Sequence, residues 1–383
     1  MKVFIGFIKL QCIFAMLLTL TACWDYKEIT YTLYGTSVGI DYEDGEYVVY
    51  IQILNFASIA RQEGQVMDKK PIVVGKARGR TITDAIFALY RSEQFLLYWG
   101  HVTSIVLTKD AIQKLEIEKL TDVINRFPEI RYNVWIYATG SLFEDIYNVS
   151  AFFGFSPYET ILMNPIDTYE QYSDIKPIYL FQFLADYLEP GRTAALPYLM
   201  IDKGTWKEGE KVSEQIKLGG VYLFEYKKYK GALEHEALVG KSYLDKDMRR
   251  MPLTIDDGGH QTLTLIVHTK DYDIKHTFKD GKVRYDLEID IGAYIEEMEE
   301  KIGEKIMTAR LEEKIQQDIR MTFEKGLEMG ADVYNLNDKV YRYDHKNWEK
   351  YIRGKPNEEV IELGDVRVNA VIKHSGKYKE RVN

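Results

Sequence analysis

The chain has 383 residues, 46% of them hydrophobic, so it can bury a sizeable core and wholesale disorder is excluded. Its 50 basic against 59 acidic residues give a net charge of −9, which excludes a general nucleic-acid binder with a basic face. Both cysteines, Cys12 and Cys23, fall near the start, so the body beyond them has no disulfide, no thiol nucleophile and no thiolate metal site.

The first element is an apolar run behind Met1 and Lys2, interrupted by Lys9 and free of charged residues from Leu10 to Ala22. An apolar core of ~7–15 residues behind a short positive region fits an export signal, whereas a spanning helix needs ~20. The competing reading is one span from Val3 to Ala22 with Lys9 snorkelling. Leu20-Thr21-Ala22-Cys23 has the order of a lipoprotein box: a branched apolar residue, two small residues, then cysteine. The thiolate is soft enough to accept a diacylglyceryl group. Cys23 is therefore the predicted lipidation site and first mature residue, and residues 1–22 the signal peptide. Two acyl chains, palmitate among them, exceed the single-chain threshold for stable anchoring at ~0.8 kcal/mol per buried methylene.

Strands are predicted over Thr36–Ile40 and Tyr47–Leu54, turning at Asp44-Gly45. Basic GKARGR (Gly75 to Arg80) reads as a solvated turn, or else as a contact for anionic headgroups or an acidic partner. The helix TDAIFALYRS follows, with Thr83 as its cap, and then the strand HVTSIVLT. KDAIQKL and IEKLTDVINRF read as helices, the second stopped by Pro128; RYNVWIYAT is a strand and SLFEDIY a helix capped by Ser141. This alternation predicts a mixed sheet with helices on it.

Pro177 is expected to start the helix PIYLFQFLADYL. Strands near Leu196–Ile201 and Lys217–Tyr226 and a helix in EHEALVGKSYL suggest a smaller middle unit. The last part has TLTLIVHT as a strand, a turn at Asp280-Gly281, and an apolar stripe predicting one long helix from Tyr294 to Met329. Its first turns would hold Glu296, Glu297, Glu299 and Glu300, the right sign for the helix dipole. DVRVNAVI closes the chain as a strand. The expected class is α+β in three mixed α/β domains, residues 23–200, 201–258 and 259–383, the last a sheet packed with one long helix. The 29 tyrosines read mainly as half-buried strand positions.

No catalytic set emerges. GTSVG (Gly35 to Gly39) fits the hydrolase pattern around Ser37, but a hairpin follows where the strand-to-helix elbow requires a helix. Seven histidines, His101, His235, His260, His268, His276, His345 and His374, lack ligand spacing, although His268 and His276 could meet across a hairpin. DYEDG (Asp41 to Gly45) begins like a calcium loop but lacks its length and terminal glutamate. No cofactor site is predicted.

Several stretches together resemble the Ger(x)C family of spore germination lipoproteins, the C subunits of nutrient germinant receptors. They are the lipobox and CWDYKEI, GID at Gly39, GRTITDAI at Gly79, WGHVTSIVLTKDA at Trp99, RFPEIRYNVWIYATG, GRTAALP at Gly191, GGVYLFEYKKYKGALEHEA at Gly219, the long helix, and Trp348. The chain departs from the pattern at EKGLEMGADVY and around His345. The resemblance implies three mixed α/β domains and no catalysis. It also implies a lipid-anchored position on the outer face of the spore inner membrane, beside membrane-embedded A and B subunits. Only Cys23 carries over as a functional position. The alternatives are a solute-binding lipoprotein of a transporter, and a lipid-anchored hydrolase using Ser37.

Overall fold

The structure is a computed structural model that describes residues 4–6, 11, 32–54, 72–256, 262–298 and 302–373. In chain order the strands are β1 (Thr32–Glu43), β2 (Glu46–Leu54), β3 (Ile72–Gly79), β4 (Leu96–Tyr98), β5 (Ser104–Thr108), β6 (Trp135–Thr139), β7 (Thr193–Asp202), β8 (Lys207–Glu208), β9 (Lys211–Val212), β10 (Gln215–Glu225), β11 (Lys228–Glu234), β12 (Met251–Asp256), β13 (Thr262–Lys279), β14 (Lys282–Met298) and β15 (Ile361–Lys373). The helices are α1 (Ile82–Ser92), α2 (Lys109–Lys114), α3 (Ile117–Arg126), α4 (Phe143–Asn148), α5 (Ile166–Gln171), α6 (Leu180–Leu188), α7 (His235–Ser242), α8 (Glu304–Glu328), α9 (Leu336–Tyr343), α10 (His345–Tyr351) and α11 (Asn357–Val360). The fold is α+β, as the sequence indicates.

Nine strands form the first sheet in the order β11-β10-β7-β6-β5-β1-β2-β3, with β4 paired to the start of β1. Strands β1, β5, β6 and β7 run parallel, while β2, β3, β10 and β11 join antiparallel at the flanks. Both faces are covered. Ile136 and Ala138 pack with α1, α3 and α6 on one side, and Tyr137 packs with Phe143, Ile146 and Tyr147 of α4 on the other. A strand buried on both faces reads as a continuous apolar run, which is why WIYAT is buried at all five positions.

The second sheet has the order β12-β13-β14-β15, antiparallel except for the parallel β14–β15 pair. Its inner face rests on α8, where Met307, Leu311, Ile315 and Ile319 meet Tyr285, Leu287, Ile289 and Ile291. Strand β10 serves both halves of the molecule. Tyr222 and Phe224 face the helices of the first sheet, while Val221 and Leu223 face the core of the second. Residues 201–258, expected as a small unit, are thus distributed: β10 and β11 extend the first sheet, α7 packs on α8, and β12 opens the second. At Gly240 of α7 a Cβ would lie 2.5 Å from the Asp318 carbonyl, so this close helix–helix approach needs glycine.

Both predicted Asp-Gly turns form: Asp44 and Gly45 have φ of 51° and 88°, Asp280 and Gly281 of 52° and 80°. Several local expectations shift. Thr81, not Thr83, caps α1 by accepting from the Asp84 amide at 3.0 Å, and α4 starts after Leu142 without a side-chain cap from Ser141. Pro177 precedes α6 by a short extended stretch, and the Tyr179 amide donates to Gln182 Oε1 at its start. GKARGR is a strand rather than a turn, its first five residues lying in edge strand β3.

The long helix is shorter than expected and spans Glu304–Glu328. Residues Tyr294–Met298 continue β14 instead, pairing Ile295 with Leu265 and Met298 with Leu263. The reason lies in the period: Ile289, Ile291, Ala293 and Ile295 are buried at every second position, and that alternation outlasts the overlapping helical spacing. Glu296 and Glu297 therefore belong to the strand, Glu304 occupies the first turn of the helix, and Ile306 is exposed rather than on the apolar stripe. Glu299 and Glu300 lie outside the described residues.

Candidate functional site

Cys23 and the lipobox lie outside the described residues, as do His260 and His374. Among the described residues no helix is long and apolar enough to cross a membrane.

Ser37 is fully buried in the middle of β1. Its hydroxyl accepts from Ser104 Oγ at 2.8 Å and donates to the Tyr147 hydroxyl at 3.1 Å. Gln52 Nε2 donates to the Tyr147 carbonyl at 2.9 Å, so this polar thread pins α4 onto β1 and β2. Burial pushes the Tyr147 phenol far up, and none of these groups is a base able to activate a hydroxyl. The thread holds the fold together.

His268 and His276 do not meet; both lie on β13, opposite Gly292 and Tyr285 of β14. His268 stacks on Tyr294 at 5.4 Å and His276 lies 5.5 Å from Phe278, and burial lowers the pKa of each. His235 pairs with Asp174 at 2.9 Å, and that hydrogen bond raises its pKa. His101 packs against Tyr34 at 4.9 Å, and His345 stacks on Trp348 at 5.3 Å. Among the described residues no three His, Cys, Asp or Glu side chains gather as metal ligands. Asp41 of the DYEDG stretch accepts from the Tyr42 amide and the Thr108 hydroxyl. Lys76 and Arg78 of the basic stretch pair with Glu43, Glu144 and Asp44.

A cleft of about 840 Å³ lies between the two halves, walled by α6, α7, α9 and β13. It is rich in charge, but the charges answer one another. Arg192 bridges Asp186 of α6 at 2.8 Å and Asp338 of α9 at 3.3 Å. Arg342 takes the other side of Asp338 at 2.8 Å, and Lys176 spans Asp245 and Asp247 at 3.1 and 2.6 Å. Lys241 donates to the Val333 carbonyl at 2.5 Å; burial lowers its pKa. Gly191 lets the chain pass against α9, since a Cβ there would meet Tyr341 at 2.8 Å. The GRT of GRTAALP is a junction between the halves.

Behind it lies a buried polar plug that sequence reasoning missed. Both carboxylate oxygens of Glu225 accept from Asn357 Nδ2, at 2.8 and 2.7 Å. One of them also accepts from Thr193 Oγ1 and the Asp332 amide, each at 3.3 Å. Asp332 accepts from the Asn337 amide at 2.8 Å; Asn337 Nδ2 donates to Asn357 Oδ1 at 3.2 Å, and the Tyr285 hydroxyl donates to Asn337 Oδ1 at 2.9 Å. Desolvation pushes Glu225 up to about 7 and Asp332 up to about 6. The available signal was Glu225 ending the apolar VYLFE run, where a charge needs partners.

Comparison with known proteins gives a consistent result. Residues 25–201 match the family described as spore germination protein N-terminal domain, and residues 219–376 the family described as spore germination B3/GerAC like, C-terminal. Spore germination protein KC of Bacillus subtilis (strain 168) is 23% identical over 396 residues, covering 96% of each chain. The crystal structure of the GerBC protein superposes with a TM-score of 0.53 at 14% identity, covering 87% of this chain and 96% of that one; this likeness speaks to the fold.

Proposed function

Because the chain belongs to the Ger(x)C family of spore germination proteins, we propose that it is the lipid-anchored, non-enzymatic C subunit of a nutrient germinant receptor. In this reading diacylglyceryl Cys23 holds the folded body on the extracytoplasmic face of the spore inner membrane. There it contacts the receptor's A and B membrane subunits. The observation that carries the reading is positional. The first family match begins at residue 25, two residues beyond a cysteine set in a lipobox behind a signal-type apolar core.

The lack of catalytic work is supported by where the hydroxyls and imidazoles sit. Ser37 is sealed in a sheet, and the described histidines are absorbed in stacks, pairs and strand packing. A solute-binding role is less well supported, because a ligand in the cleft would have to displace the Arg192, Arg342 and Lys176 ion pairs. The test is affinity capture of the full-length protein from detergent-solubilised spore membranes. Recovery of the A and B subunits in the same complex is expected. Recovery of a transporter permease in their place would favour the solute-binding alternative.

A further inference from the structure

The two ends of the first sheet differ in chemistry. At the end where β1 begins, Thr32 pairs with Leu96 and Tyr34 with Tyr98. Ser37, Ser104 and Trp135 lie abreast in the register, which sets Tyr132 about level with Tyr34. The Phe181 amide donates to the Tyr132 carbonyl at 3.1 Å, bringing the start of α6 to the same level. Phe95, Leu96, Tyr98, Tyr132 and Phe181 are between 36% and 48% exposed and ring this end. The opposite end is mixed: it carries Asp44 of the hairpin turn, Lys109 and Asp110 of α2 and Glu144 and Asp145 of α4, but also the exposed Leu142 and, beyond β7, Trp206 with Phe153 and Phe155.

The chain's path towards its start distinguishes the two ends. Cys23 and Thr32 are nine residue steps apart, a reach of at most ~32 Å when fully extended. Strand β1 alone covers roughly 36 Å at 3.3 Å per residue. A lipid on Cys23 therefore cannot let the molecule stand on the opposite end, with its own exposed Phe153, Phe155 and Trp206, because the tether is shorter than the sheet it would have to pass. It does let the aromatic end meet the bilayer. Tyrosine and phenylalanine rings partition into the headgroup region, where the apolar body is shielded and the phenol stays wet.

Resting on the Cys23 anchor, we infer that the aromatic end of the first sheet, with Leu96, Tyr98, Tyr132 and Phe181, is a second membrane contact that sets the body upright on the lipid surface. Arg91 and Arg131 flank this end, but Glu93 and Glu129 lie beside them. The contact is accordingly apolar and aromatic, and depends little on anionic lipid or salt. The second exposed aromatic group, Phe153, Phe155 and Trp206, lies near the β8–β9 hairpin that follows the far end of β7 and stays in water.

The body carries no thiol, so single cysteines report position cleanly. Full-length acylated protein is prepared as Leu96→Cys, Phe153→Cys and Lys109→Cys, each nitroxide-labelled. It is reconstituted in phosphatidylethanolamine–phosphatidylglycerol vesicles, and the mass of its N-terminal peptide reports acylation of Cys23. The expected result is loss of collision with an aqueous nickel chelate and gain with oxygen at position 96. Positions 109 and 153 should remain water-accessible, with the pattern unchanged at high salt. Acylated, vesicle-bound protein with position 96 fully water-accessible overturns the inference and leaves the anchor standing. Immersion of position 153 instead overturns it in favour of the other aromatic group. If position 96 is wet in lipid vesicles but protected in spore membranes, the face docks on a protein and the inference is again overturned. Absence of acylation removes the anchor reading and this inference together.

Discussion

The two sheets bury their strands in opposite ways, and this decides how each can be read and broken. The first sheet is sandwiched, so neighbouring residues Ile136 and Tyr137 are both fully buried, one under α6 and the other under α4. The second sheet is covered by α8 on one face, so Ile289 is buried and its neighbour Asp290 exposed. A sandwiched strand loses the period-two signal and shows only that it is central. A half-covered strand keeps the signal and shows which face looks inward.

The largest expected effects come from fully buried strand positions, at neighbouring residues in a sandwiched strand but only at alternate ones in a half-covered strand. Ile136→Ala should cost about 2–5 kcal/mol and Tyr137→Ala about 3–5 kcal/mol, both read as shifted urea midpoints. In β14, Ile289→Ala should cost about 2–5 kcal/mol while Asp290→Ala stays within about 0.5 kcal/mol. Comparable losses at Ile289 and Asp290 would break the contrast between the sheets.

The plug between the halves should make stability depend on pH. Burial raises Glu225 to about 7, above its ordinary value near 4.5, so folding favours its protonated form. That contribution is fully present below pH ~4.5 and is lost as pH rises through about 7, on the order of 3 kcal/mol in all. Thermal unfolding from pH 5 to 8 should show the decline, and Glu225→Gln should reduce it to the smaller part contributed by Asp332, which is lost as pH rises through about 6. A wild-type profile that rises from pH 5 to 8 would contradict this account of the junction.

A smaller effect belongs to the polar thread. Ser37→Ala removes a buried hydroxyl flanked by Ser104 and Tyr147 and should cost about 1–3 kcal/mol of stability. Nutrient germination should persist wherever the variant is folded. Loss of germination with an intact thermal transition would return Ser37 to the list of functional groups. The smallest effect is at the exposed face of α8: Ile306→Ala should stay within about 0.5 kcal/mol.

Much of the fold is legible in the sequence where a local rule dominates. The Asp44-Gly45 and Asp280-Gly281 turns need positive φ, and the α8 stripe from Leu311 to Phe323 keeps a helical period. Legibility fails where two rules overlap. Tyr294–Met298 satisfies both helix and strand spacing, and pairing with β13 and β15 settles it as strand. Strand order was not readable, because WIYAT and SIVLT carry no outward face to orient them. The plug was invisible for a different reason: Thr193, Glu225, Asp332 and Asn357 are scattered in the chain and gather only when β7, β10, the loop after α8 and α11 come together. GRTAALP stood out as a stretch, but nothing local showed that its arginine reaches Asp338.

The central claim is that Cys23 tethers a non-enzymatic receptor subunit. Its most direct test is nutrient germination of spores carrying Cys23→Ala, beside wild type and a deletion, with membrane recovery of the protein followed in parallel. The account predicts that the variant leaves the membrane fraction and that germination to at least one nutrient falls towards that of the deletion. Full germination by a variant that has left the membrane would contradict it.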